Sequence, residues 1–519
     1  MPFQAFERAL SRIAPGVALE RAKNRRAFRK LDGSRHGLGF STGSAYEAAG
    51  RGRRTQGWRT RQDDANAALD GALTLIRGRS RDLCRNNPWV VSGVGALEDF
   101  TVGTGLEVSP QGTGPLVDTV AELWRQWSKS TRLDADGMDD LAGIQALVWR
   151  TVIESGSALI RRRVRQEEDA QGMRVPLQLQ VLEPDHLDLS KQVGENRNRV
   201  IHGVEVDGIG RRVAYWLYPE HPGNSNPRSM QTSSKRVPAS EILHVFRRTR
   251  PGEMQAAPWL HSVIVRTRTL DEFEDAELLR MVVASSWAGF VTSSEDPDEG
   301  TDDERAPYPL EEIEPGIIEY LRPGESIEFP QLPQVSGRDG YVATQLRAIA
   351  AGLRVPYEAL THDLTKVNFS SGRMGFNAFH RRTETWRRRI LWLQLLGPVW
   401  QWFLEAAVAQ VALPAEALAI EADWTPPATL VLDPEKEGKA DAAAIRNGTK
   451  TLSEVLRGRG RDPRTHLEQA ASDFALLDEL GLVLDCDPRL VVAPGSASTD
   501  ARTSITSESG VEPGDSGDS

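Results

Sequence analysis

Apolar residues recur at three- and four-residue steps between 61 and 87, with Ala68, Leu69, Leu73, Ile76 and Leu83 in phase, and the break Asn86-Asn87-Pro88 predicts where that helix stops. A second helix is expected from Pro88, closed by Gly103 and Gly105. The stretches 116–130 and 138–155 read as further amphipathic helices, with Trp124, Trp127 and Trp149 facing a core. Between 157 and 247 the period falls to two. VPLQLQVLE, RVIHGVEVD, RRVAYWLYP and EILHVF, separated by polar turns, predict one small antiparallel sheet. After Pro258 a long helix is expected over 259–283, its second half carrying Asp271, Glu272, Glu274, Asp275 and Glu277 around most of its surface. Residues 290–335 lose helical character, and GIIEYLRPGESIEFP suggests two short strands around Arg322-Pro323-Gly324. A helix over 338–353 is stopped by Val355-Pro356, helices resume to 410, a Pro-rich link crosses 413–434, and helices return at 435–480 before a polar tail from 487. No internal repeat is evident. The expected class is α+β, mainly helical with a small antiparallel sheet.

Composition adds limits. With 519 residues, 39 % hydrophobic and 26 % charged, the chain can bury a sizeable core, while Gly, Pro and Ser accumulate at both ends. Two cysteines, Cys84 and Cys486, are too few and too distant for a disulfide framework or a zinc site, which fits a reducing, intracellular setting. The N-terminus lacks a basic stretch followed by an apolar run, so no signal peptide is read there. The longest apolar run, ILWLQLLGPVWQWFL (390–404), is broken by Gln394, Pro398 and Gln401 and too short for a membrane span; it reads as a buried helix. The net charge of −10 is unevenly spread. Residues 1–85 hold eighteen basic against eight acidic side chains, whereas 294–314 hold ten acids against Arg305. Such segmentation suits self-assembly or the handling of a polyanion.

The segment NFSSGRMGFNAFHRRTETWRRR (368–389) concentrates candidate chemistry. On a helix, Arg381, Arg382, Arg388 and Arg389 share an arc of roughly 120°, beside a packing face of Phe379, Trp386, Ile390 and Leu393. Ser370-Ser371-Gly372 is expected as a turn that caps and hinges this helix. A solvated face or an intersubunit salt-bridge face is the plain reading; arginines interleaved with aromatics favour phosphate or partner contact. GFSTG (39–43) has the letters of a nucleophile elbow without the strand before it or the helix after it. DADGMDD (134–140) resembles a calcium loop but has its glycine at the fourth place rather than the sixth, so a polar turn is expected. Asp302-Asp303-Glu304 could hold a metal in a nuclease, against the simpler reading of a solvated acidic loop. His244 reads as a satisfied core histidine. No P-loop motif occurs, so ATP-driven work would fall to another protein.

Taken together, RGRSRDLCRNNPWV (77–90), VGTGL (102–106), WRQWSKSTRLDADG (124–137), LEPDHLD (182–188), HGVEVDGIGRRVAYWLYPEHPG (202–223), RVPASEILHVFRRTRPGEMQAAPWL (236–260), LRPGESIEF (321–329), LRAIAAGLRVPYEALTHDLTKVNFSSGR (346–373) and LDPEKEGKADAAAIRNG (432–448) resemble the lambda-type phage portal proteins, in family order and over nearly all the chain between the tails. Two segments depart from the pattern: Glu253-Met254-Gln255-Ala256-Ala257 stands where a Gln- and Arg-rich stretch is expected, and Ser155-Gly156-Ser157 where a Gly-Glu pair is usual. The resemblance implies a dodecameric ring at one capsid vertex of the virion, assembled in the host cytoplasm, through which double-stranded DNA is pumped by the terminase and later leaves. It implies a basic arm (1–60), a wing (61–258), a first stem helix (259–283), a clip (284–335), a second stem helix (338–360), a tunnel loop (361–373), a tunnel helix returning to the wing (374–434), a crown (435–486) and a tail (487–519). On that frame Asp271, Glu274 and Asp275 would repel phosphates along the stem, and Lys366, Asn368, Ser370 and Arg373 would touch DNA at the tunnel loop. The clip acids Asp302, Asp303, Glu304, Glu311 and Glu312 would dock the terminase large subunit and head-completion proteins, with capsid and scaffold proteins as further partners. No catalysis, cofactor, metal or membrane is expected. The alternatives are a magnesium nuclease using Asp302, Asp303 and Glu304, or a monomeric nucleic-acid-binding protein using the arm and the arginine helix.

Overall fold

The computed structural model describes residues 57–58, 60–165, 172–225, 233–286, 290–293, 325–328, 338–365, 367–411, 413–428 and 433–484, with a few positions after them. The chain divides after Asp63, and the fold below is that of the unit Asp64–Ser519. The basic arm up to residue 56, GFSTG, Cys486, Lys366 and the clip acids Asp302, Asp303, Glu304, Glu311 and Glu312 lie outside the described residues.

The first two helices, α1 (Leu73–Asn86) and α2 (Pro88–Thr101), meet where the sequence breaks. The Asn87 side chain accepts the Val90 N–H, and Pro88 occupies the first turn, where its missing N–H costs nothing. A short strand β1 (Glu107–Pro110) precedes α3 (Pro115–Ser128) and α4 (Leu141–Ser155), the latter capped by Asp140. The expected polar turn at 134–140 is there: the Asp134 carboxylate accepts the N–H groups of Asp136, Met138 and Asp139.

The expected single sheet is two. Strand β2 (Ser157–Val164), flanked by β3 (Leu177–Leu182) and β8 (Ile242–Phe246), makes one antiparallel sheet. Strands β4 (Arg199–Ile201), β5 (Val204–Val206), β6 (Arg212–Leu217) and β7 (Lys235–Pro238) make the other. Strand β2 escapes the sequence pattern because Arg161, Arg162 and Arg163 hide its alternation. RVIHGVEVD is not one strand but a hairpin, its two-residue loop having φ of +49° at His202 and +79° at Gly203, the handedness that a tight hairpin requires.

Beyond a short turn at Trp259–Ser262 runs α5 (Ile264–Ser286), and β9 (Phe290–Ser293) pairs with β10 (Glu325–Glu328). The second strand expected near the Arg-Pro-Gly turn is thus present as β10. Its described partner is β9, and the segment just before that turn lies outside the described residues. Helix α6 (Arg338–Leu353) leads to α7 (Tyr357–Thr361) and then α8 (Phe369–Trp386). Helix α8 starts earlier than expected: Gly372 N–H already bonds to Asn368 O at 3.0 Å, so Ser370, Ser371 and Gly372 form its first turn rather than a hinge before it.

Residues Arg387–Leu396 form a π-helix before α9 (Gly397–Val411). The wider turn moves the buried positions to steps of four and five: Trp386 and Arg387, Ile390 and Leu391, Leu395 and Leu396. Leu393, expected on the packing face from a 3.6-residue period, is therefore 69 % exposed. Strand β11 (Ala422–Thr425), inside the expected link, pairs with β1 across the chain. Helices α10 (Pro434–Arg446), α11 (Leu452–Gly458) and α12 (Pro463–Glu479) complete the described fold.

One large core joins α1–α4, the three-stranded sheet, the start of α5, α6–α9 and the π segment. Trp124, Trp127, Trp400 and Phe403 stack at its far side, with Trp400 Nε1–H donating to Ile420 O at 2.9 Å. Trp149, fully buried, donates to Leu97 O at 3.0 Å and packs on Trp259 and Trp386. The two segments that depart from the family pattern touch each other. Gln255 Oε1 accepts from Ser157 Oγ at 2.9 Å and from the buried Arg77 at 2.8 Å, while Arg77 Nε donates to Ser155 O at 2.9 Å. Gly156 sits there with φ +90°, and a Cβ on it would collide with the Ala256 carbonyl. The two departures form one packed unit.

Cys84 is a buried free thiol that desolvation, aided by Glu154, pushes up to about 12. His244 corrects its reading. It lies in the core between Tyr215 and Phe246, but neither ring nitrogen has a hydrogen-bond partner.

Candidate channel-lining site

Helix α5 carries the acids, and the structure separates them. It packs on α6, through the Phe273–Tyr341 ring contact at 5.0 Å and a bond from Arg266 to Gln345, and on α1. Asp271 is half-buried and accepts Asn87 Nδ2–H at 2.6 Å, which ties α5 to the α1–α2 junction. Burial, with Asp275 and Asp82 adding their charge, raises Asp271 above the ordinary carboxylate range. This side chain is a structural clamp more than an open wall residue. Glu272 pairs with Arg268 at 3.1 Å, and the buried Glu277 pairs with Arg280 at 3.0 Å. Among the described residues, Glu274 and Asp275 have no ion-pair partner, and Asp275 is exposed.

At the expected tunnel loop, α7 ends on His362 in the left-handed region, φ +55°, and His362 Nε2 lies 3.2 Å from Ser92 Oγ. Thr365 closes a small turn on Asp363 through its N–H and hydroxyl. Asn368 accepts the first α8 bond through its carbonyl. Arg373, expected as a cation open to DNA, instead lies 3.7 Å from Glu437 of α10, so part of its charge is already answered within the chain. Lys366 and the Ser370 side chain lie outside what the structure describes.

The arginine row spans the end of α8 and the start of the π segment. Arg381, Arg382, Arg388 and Arg389 are all exposed, and Arg382 Nη1–H donates to Arg354 O at 3.1 Å. The arginine between them was missed. Arg387 is buried and donates to Thr101 O at 2.8 Å and Phe100 O at 3.0 Å, filling the carbonyls left open at the C-terminus of α2. Within Arg387-Arg388-Arg389 only the shift to π spacing distinguishes it, and sequence periodicity does not carry that shift. Among the described residues, Glu183, Asp185 and His221 are near enough together to share a cation, but Arg81 already lies 2.6 Å from Asp185 and 3.1 Å from Glu183.

A family model described as phage portal protein, lambda family, matches residues 51–387. The chain belongs to that family. It is 25 % identical over 461 residues to a probable portal protein of Halomonas phage phiHAP-1, covering 84 % of this chain and 87 % of the relative. It is 22 % identical over 464 residues to portal protein B of Escherichia phage lambda, with 80 % and 86 % covered. Similar solved structures include the neck of a native gene transfer agent (GTA) particle computed with C12 symmetry, at TM-score 0.43, 15 % identity and coverage of 74 % and 94 %. An HK97 family phage portal protein from Corynebacterium diphtheriae aligns at TM-score 0.31 and 12 % identity, covering 69 % and 97 %. The mainly helical α+β class and the portal resemblance read from the residues both stand. No helix among the described residues is long and apolar enough to cross a membrane.

Proposed function

We propose that this portal-family chain works as a non-catalytic, homo-oligomeric ring at one capsid vertex, a conduit through which double-stranded DNA enters and leaves without sequence readout. The observation that carries the ring is the surface of α5. Val265, Leu278 and Leu279 are 72 %, 62 % and 64 % exposed, and Met281 is exposed too. These apolar side chains stand exposed among the charges of α5, outside the part that α1 and α6 cover among the described residues, and call for cover from outside. A neighbouring copy in a head-to-tail ring supplies it, since such an interface closes without requiring one patch to meet itself.

Within that ring, Glu274 and Asp275 would line the stem side of the channel and keep phosphates sliding by repulsion, with Asp271 as their anchor. Lys366, Asn368, Ser370 and Arg373 would make the transient contacts at the tunnel loop, Arg373 exchanging Glu437 for phosphate. The segment holding Asp302, Asp303, Glu304, Glu311 and Glu312 would receive the terminase large subunit and later a head-completion protein, and α10–α12 would form the crown. Twelve copies is the ring number expected of the family.

Negative-stain imaging with native mass measurement tests this reading: symmetric rings with a central hole are expected, and lone particles at every concentration would overturn it. Plasmid nicking in magnesium that disappears when Asp302, Asp303 and Glu304 become alanine would establish the nuclease alternative instead.

A further inference from the structure

Three arginines from separate parts of the chain converge beside the π segment with no carboxylate in ion-pair contact among the described residues. Arg247, just past β8, stacks its guanidinium 4.3 Å from the ring of Trp259. Trp259 packs at 5.0 Å on Trp386, which follows Arg382 by one turn of α8. Arg382 reaches the carbonyl of Arg354, and Arg354 follows α6 with φ +65°, a conformation that a side-chain-bearing residue adopts only when its surroundings impose it. The group is held as built, since Gln394 of the π segment also accepts the Phe246 N–H at 3.0 Å, next to Arg247 in the chain.

Like charges so held raise each other's energy. Burial, then the charge of Arg354, brings the Arg247 guanidinium down to about 10. The nearby Glu253 carboxylate offsets only part of this charge and is turned toward other donors: it accepts from Thr249 N–H at 2.6 Å, from the Thr249 hydroxyl and from Arg250 N–H at 3.2 Å. Among the described residues, none of Arg247, Arg354 and Arg382 has a carboxylate within ion-pair distance. Trp259 adds one more donor, for its buried Nε1–H has no acceptor. Every polar group without a partner here is a donor, so what completes the cluster is an acceptor carrying negative charge.

We infer that Arg247, Arg354 and Arg382, backed by Trp259, form a receptor for a carboxylate side chain of a second copy of this chain. The inference rests on the ring reading above and names a contact that closes the ring. A carboxylate is favoured over a DNA phosphate because Arg247 and Trp259 are recessed: a single side chain can enter, whereas a duplex backbone meets only the exposed Arg354 and Arg382. The chain's net charge of −10 supplies acids in excess for that role. Charged pairs desolvated at an interface hold it chiefly by slowing dissociation.

The full chain carrying R354E and R382E tests this beside wild type and the R354K/R382K pair. Both positions are exposed, so each variant should fold with only a small shift in thermal unfolding: the glutamate pair loses the bond from Arg382 to Arg354 O but relieves the like charge on Arg247. At equal concentration the glutamate pair should lower the ring fraction by about tenfold or more, and the lysine pair should keep most of the rings. Wild-type rings with equally abundant R354E/R382E rings overturn the inference alone. If those unchanged rings also lose affinity for a short DNA duplex, the cluster is a phosphate site instead. Wild type that never forms rings overturns the ring reading and this contact with it.

Discussion

The body around Trp149 and the three C-terminal helices are built on opposite terms. In α4, nine of fifteen residues are buried, and its tryptophan is locked between Leu97, Trp259 and Trp386. In α12, a helix of 17 residues, Pro463 alone is buried, and α10 buries nothing. Yet α10–α12 are well-formed locally: Asp433, Thr451 and Asp462 cap their N-termini, Thr451 and Glu454 making a reciprocal capping box. Caps define where a helix begins; packing decides whether it persists. The body carries its own core, while α12 and the residues after it expose Leu467, Leu476, Leu480, Leu482, Val483 and Leu484 among the described residues.

The largest effect should come from removing the body's centre. W149A leaves a cavity and removes the indole's bond to Leu97 O, with an expected loss of about 3–5 kcal/mol, read as a lower urea midpoint; a loss below about 1 kcal/mol would mean that the body is not the stable unit. Next is R387M, which keeps most of the side-chain volume but strips the donors from Thr101 O and Phe100 O. It should cost about 1–3 kcal/mol in the same titration.

These residues also mark how far the sequence could be read. Trp149 and the helix it sits on follow from periodicity and a cap, because a regular 3.6-residue stripe is a local signal. Arg387 does not, since its burial depends on a π-helix set by packing against α2 and β8. The pairing of β1 with β11 was hidden for a similar reason: four-residue strands over 300 positions apart leave no periodic trace. At the candidate site the acids and arginines were legible as types, but which of them are free was not. Asp271 is held by Asn87, Arg373 by Glu437 and Glu277 by Arg280, and such pairings are tertiary facts.

A pH titration sharpens the contrast further. His244 is buried without a partner and, by burial and then the charges of Arg212 and Arg77, titrates well below an ordinary histidine. Its folded pKa lies below its unfolded value near 6.5, so below that pH the unfolded chain binds the extra proton. Stability should be full above about pH 6.5 and fall by about 1.4 kcal/mol per pH unit as pH drops toward the folded pKa. H244L should flatten that slope in the body. An unchanged slope would show that His244 is not the acid-sensitive group.

The smallest effect on the isolated chain is the one that speaks most directly to the C-terminal helices. Leu476 and Leu480 are exposed, so L476E/L480E removes no core contact and should shift monomer stability by no more than about 0.5 kcal/mol. If a neighbouring copy covers these side chains, the same variant must bury two carboxylates when rings form, and ring yield should fall steeply while the monomer's urea midpoint stays put. Circular dichroism adds an internal check: helices that persist only when covered should gain signal as wild type assembles, and the glutamate variant should not show that gain. Equal ring yield and equal helicity in the two proteins would mean that α12 stands without cover, and the difference between the two regions would then be one of sequence composition rather than of dependence on assembly.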